Sequence, residues 1–132
     1  MADFPRELHY TESHEWARLE SDDTVTIGIT DFAQQQLGDV VFVELTDMHL
    51  SLNKGDEMSV VESVKTAADV YSPISGEVIA VNQQLESRPE LINQDPYGDG
   101  WICRIKPHDL EELDELLDAD EYEEKVSADS EG

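Results

Sequence analysis

The chain has 132 residues, of which 39% are hydrophobic, and this length and composition predict one folded domain with a modest core. Acidic residues outnumber basic ones by 32 to 8, and the resulting net charge of −24 repels nucleic acids and anionic membranes. The charge therefore argues against both classes of partner and favours a monomer, and it serves either docking to basic surfaces or solubility alone.

Short β-strands are expected along most of the chain, because hydrophobic and polar side chains alternate between Gly and Pro turns. The clearest strands are residues 24–29, 40–43, 77–81 and 101–105. Residues 40–43 are all hydrophobic, so we expect this strand to be covered on both faces. Cys103 is the single cysteine and lies in an alternating run, which indicates a buried hydrophobic role rather than a nucleophile.

Two helical segments are expected among the strands. The first is capped by Thr30 or Asp31, runs to Leu37 and stops at Gly38. The second begins after Asp109, a good N-cap, and carries a stripe of leucines that should pack onto the β core. The members of this stripe are Leu110, Leu113, Leu116 and Leu117.

Lys65 is flanked by two stretches that mirror each other. Upstream lie the strand-like residues 57–62 and a turn at Gly55, and downstream lie the strand-like residues 69–71 and a turn at Gly76. The two halves are expected to pair as a hairpin with Lys65 at its apex. From this symmetry alone, an ordinary hairpin with an exposed lysine remains an open interpretation.

A lysine at the apex of a hairpin suits a covalent cofactor carrier. An acylating enzyme needs a rigid, protruding turn, and the long aliphatic side chain then extends the cofactor away from the protein. Because the linkage is an amide, the amine loses its charge and the arm can enter an apolar channel. A short tether gives the cofactor a high effective concentration at each partner.

The residues around this lysine, Glu62-Ser63-Val64-Lys65-Thr66-Ala67, closely resemble the lipoyl attachment motif of the glycine cleavage system H-proteins. Other blocks resemble the same family in the same order, and together they span about residues 8–106. They are His14-Glu15-Trp16, residues 27–31 with 37–39 and 41–45, residues 72–78 with 81–82, and residues 89–93 with 96–101. Because the blocks keep one register, a chance similarity is implausible.

The resemblance implies a mostly β fold, a barrel-sandwich hybrid of two small antiparallel sheets with short helices and a C-terminal helix. It also implies a single lipoyl-carrier domain over residues 1–126, and the acidic tail of residues 127–132 is expected to fray. The acidic N-terminal residues lack the features of a signal or transit peptide. We therefore expect a bacterial-type cytoplasmic protein, or a mitochondrial matrix protein if the chain is a processed eukaryotic form.

A non-catalytic shuttle with covalently attached lipoate is the function that the resemblance implies. A pyridoxal-phosphate glycine decarboxylase would release carbon dioxide and transfer the aminomethyl group to the lipoyl disulfide. An aminomethyltransferase would pass the one-carbon unit to tetrahydrofolate, and dihydrolipoyl dehydrogenase would reoxidise the dithiol with NAD. A lipoylating enzyme completes the expected set of partners.

The resemblance also assigns roles to individual residues. Lys65 is the N6-lipoyl attachment point, and Glu62 and Gly76 help the lipoylating enzyme to recognise the hairpin. Glu15 is a candidate contact for the aminomethylated arm through a charge-assisted hydrogen bond, and an exposed strand position is its alternative. No metal site is expected, because no metal-ligand spacing links the histidines, which are His9, His14, His49 and His108.

The chain departs from the family pattern at Thr46, where proline is usual, at Thr66, where alanine is common, and in residues 48–50, which lack a glycine. These departures leave room for a paralogue with altered partner choice. An H-like lipoate relay or regulatory protein that is not engaged in glycine cleavage is the alternative that the sequence leaves open. A biotin carrier is disfavoured, because its lysine lies between methionines whereas Val64 precedes Lys65. A 2-oxoacid dehydrogenase lipoyl domain would bring a linker and a second domain, and an independent enzyme would need a catalytic constellation that the sequence lacks.

Overall fold

The computed structural model describes residues 4–131, which form two β-sheets with short helices between and after the strands. The strands are β1 (His9–Tyr10), β2 (Glu15–Leu19), β3 (Val25–Ile29), β4 (Val40–Glu44), β5 (Ser51–Leu52), β6 (Glu57–Ser63), β7 (Ala67–Tyr71), β8 (Gly76–Val81) and β9 (Cys103–Pro107). The helices are α1 (Asp31–Leu37), α2 (Gln84–Ser87), α3 (Leu91–Gln94) and α4 (Ala119–Glu131), with a 3-10 helix at Leu110–Glu115. Within the described residues, every helix is too short or too polar to cross a membrane.

Both sheets are antiparallel and open. The larger has six strands in the order β1-β2-β3-β9-β8-β5, and the smaller has three in the order β4-β6-β7. Neither order returns to its first strand, so no closed barrel forms among the described strands. The predicted architecture of two small antiparallel sheets with short helices and a C-terminal helix is confirmed.

The four predicted strands are present with shifted ends, and the shift at β9 has a visible cause. The N–H of Trp101 closes a turn onto the carbonyl of Gly98 at 3.1 Å, so the ladder with β8 starts only at Cys103. The first predicted helix is confirmed as α1. Thr30 is its N-cap, with Oγ1 accepting from the N–H of Ala33 at 3.2 Å, and Gly38 ends it.

The main core lies between the two sheets and receives side chains from both. Val61 and Val70 of the smaller sheet and Ile27, Val78 and Ile105 of the larger sheet are almost completely inaccessible to solvent. Fully burying one such side chain stabilises the fold by roughly 1.5–3 kcal/mol. This shared core fixes the small sheet, and with it the hairpin that carries Lys65, against the rest of the molecule.

Cys103 lies in this core and confirms its predicted role as a buried small hydrophobe. Its Sγ contacts Sδ of Met58 at 3.3 Å, and burial raises the pKa of the Cys103 thiol to about 12. At neutral pH the reactive thiolate is therefore scarce, and Cys103 is unsuited to nucleophilic chemistry or to exchange with another disulfide.

A second cluster attaches α4 to the edge of the larger sheet. Tyr122 of α4 stacks on Tyr10 of β1, with ring centroids 4.6 Å apart and an interplanar angle of 4°. Trp16 is completely buried in the same cluster, and its Nε1 donates to the carbonyl of Pro96 at 3.0 Å. The C-terminal helix is therefore an integral part of the fold up to this contact.

The expectation that residues 40–43 are covered on both faces is wrong. Val40 and Val43 are buried, but Val41 is 53% exposed and Phe42 is 50% exposed. β4 contributes Val40 and Val43 to the main core, whereas the outer face of the smaller sheet is left exposed at Phe42. A bulge between Val40 and Phe42 also breaks the alternation and turns Val41 outward.

The expectation of one continuous helix after Asp109 is also wrong, although Asp109 is an N-cap. Its side chain accepts from the N–H of Glu111 at 3.0 Å and starts a 3-10 helix, which ends at the extended residue Leu116. Leu117 then exchanges two backbone hydrogen bonds of 2.8 Å with Tyr10, which requires an extended backbone. This long-range pairing splits the leucine stripe: Leu113 and Leu116 pack on the main core, Leu117 packs on the second cluster, and Leu110 is 39% exposed.

The predicted acidic tail overlaps the end of α4, which runs to Glu131. Gly132, its last residue, lies outside the described residues. The boundary at residue 126 and the fraying of residues 127–132 stay predictions.

Candidate functional site

Lys65 lies exposed at the tip of a hairpin that β6 and β7 form, as the mirrored flanks predicted. Ser63 organises the turn, since its N–H donates to the carbonyl of Thr66 at 2.7 Å. The Oγ of Ser63 also accepts from the N–H groups of Thr66 at 3.2 Å and Lys65 at 3.4 Å. The backbone of the turn is therefore ordered by a side chain of the turn itself, while the lysine side chain remains accessible.

The tip is also attached to the body of the protein. The N–H of Val64 donates to the carbonyl of Asp39 at 3.0 Å, in the loop between α1 and β4. Asn93 of α3 holds that loop in turn, because its Oδ1 accepts from the N–H of Val40 and its Nδ2 donates to the carbonyl of Gly38, both at 2.9 Å. A chain of hydrogen bonds thus fixes the hairpin tip relative to α3, which sequence reasoning did not foresee.

Gly38 gives the Lys65 side chain a path along the end of α1. Its φ of 81° and ψ of −156° fall in a region that is essentially restricted to glycine. A Cβ at this position would lie 3.5 Å from Cε of Lys65, so the lysine stem runs directly past the bare backbone of Gly38. The same glycine therefore ends the helix and lies next to the stem of the lysine.

A cleft of about 410 Å³, here called the α1 cleft, lies between α1 and the hairpin. Leu37 and Ala68, which line it, are sequence neighbours of Gly38 and of the tip residue Ala67. Seven of its twelve lining residues are apolar, and the consecutive polar residues Ser13, His14 and Glu15 form what is here called its polar end. The apolar residues are Ile29, Phe32, Ala33, Leu37, Val61, Ala68 and Val70, and the polar ones are Ser13, His14, Glu15, Gln36 and Asp69.

A larger cleft of about 550 Å³ lies on another side of Glu15, with Lys54, Tyr71 and Glu115 among its lining residues. Of the hairpin, only Tyr71 contributes to it, at the end of β7 away from the tip, whereas the α1 cleft takes Val61, Ala68, Asp69 and Val70 from the hairpin. We therefore consider the smaller α1 cleft, and not this one, as the candidate site for an arm on Lys65.

Glu15 lies at the polar end of the α1 cleft and is only 1% exposed, so the alternative of an exposed strand residue is wrong. Its Oε1 accepts from Oγ1 of Thr11 at 2.5 Å and from Oγ of Ser13 at 2.7 Å. Its Oε2 accepts from the N–H of Tyr71 in β7 at 3.2 Å. These donors compensate the burial of the carboxylate and fix its orientation.

His14 connects the polar end of the cleft to α4, a link that the sequence did not reveal. Its Nδ1 lies 2.8 Å from the hydroxyl of Tyr122, and that hydroxyl lies 2.7 Å from Oγ1 of Thr30. The His14 ring also packs near Phe32, with centroids 4.9 Å apart. His14 has a φ of 74°, so these contacts hold a backbone conformation that non-glycine residues seldom adopt.

Glu62 and Gly76, the predicted recognition residues, lie in different sheets. Glu62 is exposed on β6 of the hairpin, whereas Gly76 begins β8 in the larger sheet. A Cβ at Gly76 would come within 2.3 Å of Cγ2 of Ile105 and 2.5 Å of the carbonyl oxygen of Lys106. Close packing alone therefore requires glycine at position 76, and a role of either residue in recognition stays a prediction.

A sequence model of the family described as "Glycine cleavage H-protein" matches residues 8–129. The chain belongs to the glycine cleavage H-protein family. It is 59% identical over 130 residues to the Glycine cleavage system H protein of Coxiella burnetii, covering 98% of this chain and 100% of that protein. With a Glycine cleavage system H protein of Thermus thermophilus it shares 55% identity over 128 residues, covering 97% of this chain and 99% of the other.

The structures agree with the sequences. The crystal structure of a glycine cleavage system H protein from Mycobacterium marinum superimposes with a TM-score of 0.86 at 36% identity, covering 93% of this chain and 98% of that one. The resemblance recognised in the sequence is thereby confirmed for the family and for the fold. The hairpin, the α1 cleft and the C-terminal helix described above are therefore features of an H-protein.

Among the described residues, no group of three or more His, Cys, Asp and Glu side chains has the geometry to hold a metal ion. His9, His14, His49 and His108 lie in different environments, and His14 is occupied by Tyr122 and Phe32. The site can instead present one exposed amine, one apolar cleft and one buried carboxylate. This set of groups suits the holding of a covalent arm better than it suits bond-making by the protein itself.

Proposed function

We propose that this H-protein carries a lipoyl group on Lys65 and acts as the non-catalytic shuttle of glycine cleavage. The observation that carries the proposal is the position of Lys65, exposed at the apex of a hairpin whose backbone is held by hydrogen bonds, with its stem running past Gly38 at the end of α1. Family membership supports the same function. Lys54 also lies on a turn beside a cleft, but its Nζ is paired with Glu115 at 2.9 Å.

The residues of the site fit a lipoyl group. The apolar wall of the α1 cleft would cover an aliphatic chain, while Lys65 Nζ would anchor it in the bare groove beside Gly38. Glu15, fixed at the polar end, would face the far end of the arm. When bound, the lipoyl group supplies a disulfide that opens on reduction and closes again on oxidation.

Attachment asks little of the protein except access to Lys65. The ammonium group gives up two protons in total, and Nζ forms an amide bond to the activated carboxyl carbon of the acyl donor while the donor's leaving group departs. The amide has no charge, so an arm on Lys65 can enter an apolar cleft without the cost of burying an ammonium group. Glu62 and Gly76 would help the lipoylating enzyme to recognise the hairpin.

Glu15 is proposed to hold an amine on the loaded arm. A buried carboxylate that is already oriented by hydrogen bonds offers a strong acceptor to a cationic amine, since charge-assisted hydrogen bonds are about twice as strong as neutral ones. The surrounding cleft would also keep water from the amine. These two effects together would slow the loss of the one-carbon unit between enzymes.

The proposed partners are glycine decarboxylase, aminomethyltransferase, dihydrolipoyl dehydrogenase and a lipoylating enzyme. The net charge of −24 supports partners with basic docking surfaces and argues against nucleic acids and anionic membranes. The same repulsion supports a monomer, and a cytoplasmic location suits this set of partners. The protein would supply transport and shielding, while the bond-making would belong to the enzymes and their cofactors.

The proposal is tested by the intact mass of the protein isolated from its native host, with Lys65→Arg expressed alongside. We expect the wild-type protein to carry the added mass of one lipoyl group and the variant to carry none. Arginine keeps the positive charge but cannot form this amide under the same conditions. An unmodified wild-type chain, in cells that lipoylate other proteins, would overturn the proposal.

A further inference from the structure

Three large hydrophobic side chains are exposed around the hairpin tip, although the rest of the surface is strongly acidic. Val64, beside Lys65, is 70% exposed, and Val41 and Phe42 of β4 are 53% and 50% exposed. We call these three residues the tip patch. Single exposed hydrophobic residues are common, but a group at one place on a charged surface calls for an explanation.

The pairing of β4 with β6 brings the members of the tip patch together. Phe42 lies opposite Glu62, and Val41 is the extra residue of the bulge that follows Val40. The next contact along the same strand pair is the hydrogen bond from the N–H of Val64 to the carbonyl of Asp39. The tip patch therefore occupies the end of the small sheet that carries Lys65.

The charges around the tip patch favour one kind of occupant. Asp39, Glu44 and Glu62 are all exposed around it, so a second copy of this chain would bring acidic groups against acidic groups. The bulge at Val41 also disturbs β4 as an edge for strand pairing between copies. A surface that is apolar at its centre and bordered by Lys and Arg complements this arrangement.

We propose that the tip patch is the docking surface for the enzyme that acylates Lys65, an inference that rests on the function proposed above. Before modification, Lys65 reaches only as far as its own side chain. The active site of the acylating enzyme must therefore approach the hairpin tip closely, and the enzyme must cover the residues beside Lys65. Enzymes that act on the distal end of an attached lipoyl group can bind farther from the hairpin tip. Apolar contacts at the centre of an interface, with charges at the rim, carry most of its binding energy.

The test compares Phe42→Thr/Val64→Thr with the control Leu19→Thr. All three residues are exposed, threonine suits the strand positions of Phe42 and Leu19, and it keeps the β-branched shape of Val64 in the turn, so folding should be unaffected. Leu19 is 46% exposed but belongs to β2 in the larger sheet. Initial rates are measured with an ATP-dependent lipoate ligase, lipoic acid and ATP over a range of unmodified H-protein concentrations.

We expect the KM for the H-protein to rise about tenfold in the double variant, with kcat changed less than about twofold and the control unchanged. Wild-type kinetics in the double variant would overturn the proposal. A rise in KM of equal size in the Leu19 control would do the same, because the effect would then not belong to the tip patch.

Two further measurements separate this proposal from its alternatives. Mass spectrometry of the wild-type reaction at completion tests the lipoyl function itself. If no adduct formed there, the proposed function would be wrong, independently of the docking surface. After complete lipoylation, reduction of the arm by dihydrolipoyl dehydrogenase should be equal in wild-type and double variant. A loss at that step with normal acylation, or a dimer that the substitutions dissociate, would assign the patch to another occupant and overturn the proposal.

Discussion

Lys65 and Glu15 both belong to the surroundings of the α1 cleft, but the structure holds them by opposite means. At the hairpin tip the backbone is fixed, through Ser63 and Asp39, while the side chain of Lys65 is exposed and free to move. At the polar end the side chain of Glu15 is itself fixed, and it is 1% exposed. One end presents a movable group on a rigid support, and the other presents a rigid group inside the protein.

Such a division between a movable and a fixed end allows a carrier to combine reach with protection. An arm that leaves the protein and returns needs a flexible attachment, but the groups that receive it must keep their orientation while it is away. Substitutions at the two ends should therefore affect different properties of the protein. Changes at Lys65 should affect modification and leave stability almost unchanged, whereas changes at Glu15 should affect stability even in the unmodified protein.

The largest effect on stability is expected from Glu15→Ala. The substitution removes the carboxylate that accepts from the hydroxyls of Thr11 and Ser13 and from the N–H of Tyr71, and a hydrogen bond to a charged group contributes about 1.5–3 kcal/mol. Ser13 is exposed and can bond to water instead, so the loss is smaller than the sum of three such bonds. We expect the free energy of unfolding, measured by urea denaturation of the unmodified protein, to fall by roughly 3 kcal/mol.

Two variants control this measurement. Glu12→Ala removes an exposed carboxylate nearby and should change the free energy of unfolding by less than about 0.5 kcal/mol. Glu15→Gln keeps one acceptor oxygen and should recover part of the loss. If Glu15→Ala and Glu12→Ala were equally stable, the hydrogen bonds of Glu15 would not hold its side chain in a fixed position.

The exposed end of this pair could be predicted from the sequence, whereas the buried end could not. The hairpin follows from turn residues on both sides of alternating strands, and those signals are local. The burial of Glu15 depends on Tyr71, a strand residue far away in the chain, and on donors from the preceding turn. A carboxylate is usually exposed, so no local pattern indicates its burial.

The prediction of one continuous helix after Asp109 was wrong for the same reason, because the structure there depends on a long-range contact. The leucine spacing after Asp109 has the period of a helix, but Leu117 pairs with Tyr10 across more than half of the chain and takes an extended conformation. The wall of the α1 cleft likewise combines Phe32, Val61 and Ala68 from three separate elements. Lys65 could be predicted from the resemblance to a family. The cleft beside it could not, because it is formed by long-range packing.

The intermediate effect is expected from Gly38→Ala, which tests the support at the hairpin end. The φ of 81° makes alanine strained at position 38, so we expect a loss of roughly 1–3 kcal/mol in the free energy of unfolding. Strain at position 38 would also displace the adjacent Asp39, whose carbonyl holds the N–H of Val64 at the hairpin tip, and we therefore expect slower lipoylation. Gly55→Ala is the matched control, because Gly55 has a φ of 91° and a Cβ added there would meet nothing within 4 Å.

Urea denaturation and the initial rate of lipoylation are measured for both glycine variants. Both should lose stability, but only Gly38→Ala should be lipoylated more slowly. Equal lipoylation rates in the two variants would mean that Gly38 does not help to present Lys65 at the hairpin tip.

The smallest effect is expected from Tyr122→Phe, which tests whether α4 helps to fix the buried end. The loss of the hydroxyl removes its contacts with His14 and Thr30, and we expect a decrease of about 1 kcal/mol in the free energy of unfolding. Tyr10→Phe should cost a similar amount, because that hydroxyl donates to the carbonyl of Pro5 at 2.6 Å.

Amide hydrogen exchange distinguishes these two tyrosine variants. The N–H of Thr30 donates to the carbonyl of His14 at 3.0 Å, so its exchange reports on the segment that leads into Glu15. Faster exchange at Thr30 in Tyr122→Phe, but not in Tyr10→Phe, is expected if the helix orders this segment through His14. The same exchange rate in both variants would mean that α4 contributes only general stability, and the rigidity at Glu15 would then come from Thr11, Ser13 and Tyr71 alone.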